Sequence, residues 1–65
     1  MKLYNLGNYG IIDLQDIKYI TITEDEKSFE VIYKNEPRLF VDLISGIEIM
    51  SVYTAYLRDK VLLGT

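Results

Sequence analysis

The chain has 65 residues, ten acidic and seven basic side chains, a net charge of −3 and a pI near 4.7. It contains neither Cys nor His, which excludes disulfides and thiolate metal sites and removes the commonest general base, metal ligand and pH switch. The acidic balance argues against a nucleic-acid footprint, which needs a basic stripe. No run of about 18 apolar residues could span a membrane, and the N-terminal MKLYNLGNYG lacks the apolar core of a secretory signal, so the expected location is cytoplasmic.

In chain order, Lys2 to Leu6 reads as a short strand and Gly7-Asn8-Tyr9-Gly10 as a turn, because Gly and Asn tolerate positive φ. Ile11 and Ile12 start a second strand, and Asp13-Leu14-Gln15-Asp16 a polar bend in which an Asp caps backbone N–H groups. The clearest signal is a hairpin. Ile17 to Thr23 and Phe29 to Lys34 are rich in β-branched and aromatic residues, and Glu24 to Ser28 is a charged loop of hairpin length. Pairing Thr23 with Phe29 sets Tyr19 opposite Tyr33, Thr21 opposite Val31 and Lys18 opposite Lys34. Asn35-Glu36-Pro37 is a turn at a sheet edge, Arg38 to Val41 a further strand, and Asp42 a helix N-cap.

From Leu43 to Leu62 the chain reads as a helix. At 100° per residue, Leu43, Ile47, Met50, Leu57 and Val61 form one apolar stripe, expected to pack on the sheet. Ile49, Val52, Tyr53 and Tyr56 form a second stripe, expected to face outward. A strand over residues 47–53 is the rival reading, favoured by the β-branched run and by Gly46, which costs a helix about 1 kcal/mol relative to Ala. The expected architecture is a single α+β domain over residues 1–65: a small curved, mostly antiparallel sheet of four or five short strands with one C-terminal helix.

A domain this small buries only about 60% of its unfolded surface and usually gains stability from disulfides, a metal or a partner subunit. With Cys and His absent, a partner subunit is the expected stabiliser. A homo-oligomer, most simply a dimer, is expected to form through Ile49, Val52, Tyr53 and Tyr56, since Tyr favours interfaces.

Few side-chain groups suggest chemistry. Glu24-Asp25-Glu26 lacks the spaced oxygen ligands and central Gly of a calcium loop and reads as a solvated hairpin tip. Asp13 and Asp16 read as turn caps rather than a catalytic pair. Lys18, Lys34 and Arg38, with Tyr19 or Tyr33 to stack on a ring, form a candidate site for a small anionic or nucleotide-like ligand, because opposed lysines would be relieved by a phosphate.

The order of elements resembles the small bacterial flagellar FlbD-like family. The segment from Ile11 to Ile20 (IIDLQDIKYI) is similar to that family's second-strand region, and Phe29 to Tyr33 to its next strand. The likeness covers about half the chain and rests on hydrophobic pattern. The family's Asn-Gly turn is replaced here by Asn35-Glu36-Pro37. The resemblance implies a compact β-rich module with a C-terminal helix; no functional residue and no flagellar role follow from it.

The expected function is a non-catalytic protein-binding module without cofactor: a regulator or inhibitor, of a kind common among phage and mobile-element products. Its acidic surface would be steered to a basic protein partner. Capture of a small anionic ligand at a subunit interface is the alternative. Catalysis is not expected, given the missing His and Cys.

Overall fold

The computed structural model describes residues 1–64. Strand β1 (Leu3–Asn5) pairs antiparallel with β2 (Ile11–Asp13), Tyr4 opposite Ile12. A tight 3-10 turn joins them. Gly7 and Gly10 both take positive φ (62° and 84°), and the Asn5 side chain accepts from the Gly7 N–H at 3.0 Å. Leu6 folds inward from this turn and is almost fully buried.

After β2 the chain makes a second 3-10 turn, Leu14–Asp16. Asp13 caps it, its carboxylate accepting from Gln15 N–H at 3.1 Å and from Lys2 N–H at 3.0 Å. This turn diverts the chain, so β1 and β2 stay a separate two-stranded sheet and the remaining strands form a second sheet. The fold is α+β as expected, with its strands divided between two antiparallel sheets.

The second sheet contains β3 (Ile17–Ile22), β4 (Ser28–Tyr33) and β5 (Leu39–Asp42), in the order β3-β4-β5. The hairpin register differs from the sequence expectation by one residue. Thr23 closes on Ser28 rather than Phe29: Thr23 N–H donates to Ser28 C=O at 2.8 Å, and Ser28 N–H donates to Thr23 Oγ1 at 3.2 Å. Asp25 organises the tip, accepting from Thr23 Oγ1 at 2.6 Å and Lys27 N–H at 3.0 Å. Ile22 therefore opposes Phe29 and Ile20 opposes Val31, while Tyr19 opposes Ile32.

A one-residue slip turns every side chain to the other face, which places Ile20 and Ile22 on the same side as Phe29 and Val31. The register shifts between Ile17 and Tyr19, leaving Lys18 in a bulge, and Ile17 then opposes Tyr33. A bulge adds one unpaired residue and reverses the in–out alternation. Odd-numbered Ile17 and even-numbered Ile20 and Ile22 can thus share the inner face.

The helix α1 (Leu43–Gly64) follows β5 directly, so residues 47–53 are helical and the strand alternative is excluded. Asp42 is its cap, accepting from Ser45 N–H at 2.7 Å and satisfying one of the free donors of the first turn. The core unites both sheets and the helix: Leu6, Ile12, Leu14, Ile17, Phe29, Val31, Val41 and Ile49 are all buried.

Candidate functional site

Gly46 sets how the helix lies on the second sheet. It is buried, and a Cβ built there would run into the Phe29 ring, 2.7 Å from Phe29 Cβ. Without a side chain the helix backbone approaches Phe29 closely, and the residues on the same side of α1 enter the core. Ile49 is fully buried, and Val52, Tyr53 and Tyr56 pack against the core beside it. Tyr53 OH donates to Ile17 C=O at 3.0 Å, at the edge of the β3 bulge, and stacks on Tyr56 with ring centroids 6.2 Å apart.

The two apolar stripes of the helix thus exchange the roles expected of them. Ile49, Val52, Tyr53 and Tyr56, expected at an interface, pack inside their own chain. Leu43, Ile47, Leu57 and Val61, expected on the sheet, are exposed, and Met50 alone of that stripe is half-buried. Hydrophobic spacing was equally good for both; the close approach at Gly46 selects between them.

Three tyrosines act as internal pins. Tyr4 OH donates to the Glu48 carboxylate and ties β1 to α1, and Tyr9 OH accepts from Asp42 N–H at 3.1 Å. Tyr53 is the third. Tyr4, through that hydrogen bond first, and Tyr33 and Tyr53, chiefly through burial, have phenols held above the ordinary value of 10.0. A phenol raised in the folded state contributes stability that is complete below pH 10 and is lost as pH rises through the folded-state value. The urea midpoint is expected to hold to about pH 9 and to fall above about pH 10. Tyr53→Phe, which removes the donor to Ile17, is expected to be less stable at neutral pH and to show a shallower alkaline fall.

The proposed anion-site residues do not converge. Lys18 lies in the bulge, and Lys34 N–H donates to Asp16 C=O at 2.8 Å, so the two lysines are not opposed. Arg38 is paired with Glu30 at 3.6 Å. Tyr19 is half-exposed on the outer face of β3, while Tyr33 is half-buried on the inner side, so the two rings lie on opposite faces. Only a register pairing Thr23 with Phe29 would bring these residues together, and the hairpin pairs Ile22 with Phe29 instead.

The Asp13 and Asp25 carboxyls, held below the usual value by the hydrogen bonds that cap their turns, are occupied structurally. Among the described residues no three acidic side chains gather closely enough to hold a metal ion, and no helix is long and apolar enough to cross a membrane.

The surface that stands out is the outward face of α1. Ile44, Ile47, Leu57 and Val61 are exposed along it. A shallow groove of about 420 Å³ runs between Ile47, Met50, Ser51, Thr54, Ala55 and Arg58. Ser51, Thr54 and Ala55 keep its floor low, so another helix could lie close to the backbone there. From Leu57 to Val61 every residue is exposed. Searches against protein families, curated proteins and solved structures give no match.

Proposed function

We propose that the chain is a non-catalytic protein-binding module, a regulator or inhibitor, and that it binds through the outward apolar face of α1. The observation that carries this reading is the row of large aliphatic side chains left in water by a helix whose opposite face is already buried. Single exposed apolar residues are ordinary, but contiguous ones mark interaction sites. The acidic hairpin tip, Glu24 to Glu26, would steer a basic partner surface without contributing much affinity.

The reading is tested with a tagged chain and two variants, each used to capture partners from a cell lysate. Ile44→Glu with Ile47→Glu is expected to abolish capture while leaving circular dichroism unchanged. Lys18→Ala with Lys34→Ala and Arg38→Ala is expected to capture as the wild type does. The reverse pattern would move the site to the basic residues and favour capture of an anionic ligand. For a steered basic partner, capture is also expected to weaken as salt rises.

A further inference from the structure

We infer that the outward stripe of α1 pairs with the same stripe of a second copy of the chain, the two helices antiparallel. This rests on the stripe being a protein-binding face. Leu43, Ile47, Met50, Thr54, Leu57 and Val61 follow one another at alternating spacings of four and three residues. That is the spacing that keeps a seam facing a partner helix. With the two-fold axis passing near residue 52, Leu43 meets Val61 of the second copy, Ile47 meets Leu57, and Met50 meets Thr54. Each layer recurs by symmetry, so one stripe is complementary to itself, as a two-fold interface requires.

Two further observations favour a second copy in this orientation. The first is area. With exposures of 63% at Ile47, 64% at Val61, 39% at Leu43 and 40% at Leu57, and 82% at the flanking Ile44, the stripe and its edge together offer roughly 500 Å² per chain, within the range of the largest patch on a monomer. A pair would bury at most roughly 1,000 Å² in total, the lower bound for specific association. The second is charge. Antiparallel packing opposes the two helix dipoles. Parallel packing would set Arg58 against Arg58 and Lys60 against Lys60.

The test combines mass with cross-linking. Light scattering over a hundredfold dilution is expected to show twice 7.6 kDa at high concentration, falling toward the single-chain mass. Ile47→Glu should raise the dissociation constant at least about tenfold, and Thr54→Leu, which replaces the one polar residue of the seam, should lower it. Because the chain has no Cys, the single variants Ile47→Cys and Leu57→Cys give a clean orientation test. Mixed under mild oxidation, they should form the 47–57 disulfide between copies.

Disulfides formed only between like positions would overturn the antiparallel arrangement. A monomer at all concentrations would overturn self-pairing. If that monomer binds 8-anilinonaphthalene-1-sulfonate and loses it on Ile47→Glu, the stripe still docks some other protein. If it binds no dye there, the protein-binding reading of the stripe falls as well.

Discussion

Replacing Gly46 by alanine is expected to destabilise the domain by about 2 kcal/mol, although alanine is the better helix former by about 1 kcal/mol. The sign is the informative part. In a helix position free of tertiary contact the same change stabilises, through helix propensity and a less flexible unfolded chain. Here the added methyl must displace the Phe29 ring, and Phe29 Cβ, held to the β4 backbone, itself lies 2.7 Å from the methyl position. Phe29 is itself buried between β4 and the helix, so it has little room to retreat. Urea unfolding of the full chain should show a lower midpoint for Gly46→Ala with an unchanged slope. A peptide of residues 42–64 should show the opposite, a gain in helicity by circular dichroism. A full-length variant as stable as the wild type would mean that the helix does not seat on Phe29.

The fold class and most element boundaries were legible because they depend on local signals. Asp42 announces a cap, the two glycines around Asn8 announce a turn, and the β-branched runs announce a hairpin. The structure departs from the sequence pattern where a single residue decides between two arrangements of equal periodicity. Loop length favours pairing Thr23 with Phe29; the hydroxyl of Thr23 and the carboxylate of Asp25 instead close the tip one residue earlier. That slip dissolved the Lys18–Lys34 pair and with it the candidate anion site. The alternation of Ile17 against Ile20 and Ile22 does change parity at Lys18, so the bulge left a trace in the sequence. On the helix, Gly46-Ile49-Tyr53-Tyr56 and Ile47-Met50-Thr54-Leu57 have the same three-four-three spacing. Periodicity could not rank them. Gly46 could have done so: a small residue on one stripe marks the side where another backbone or ring comes near, and Tyr53 on that stripe has a hydroxyl that finds a carbonyl inside.

A pair of isoleucines two positions apart separates the two faces of α1 most directly. Ile49→Ala is expected to cost about 3 kcal/mol, within the usual range for truncating a fully buried isoleucine. A core this small rarely supplies more than about 3–5 kcal/mol in total, so the variant should be largely unfolded at 37 °C. Ile47→Ala, at a position 63% exposed, should stay within about 0.5 kcal/mol of wild type when both are measured as monomers. Its effect should appear in a different observable. A folded dimer is stabilised by mass action, so the wild-type melting temperature should rise with protein concentration. In Ile47→Ala that rise should be reduced, while Ile49→Ala should melt lower at every concentration. If the sheet were instead covered by the Leu43–Val61 stripe, the order would invert: Ile47→Ala would unfold the domain, and Ile49→Ala would weaken association alone. Each substitution removes the same atoms from the same helix. The difference between them therefore measures only which face the protein keeps for its own core.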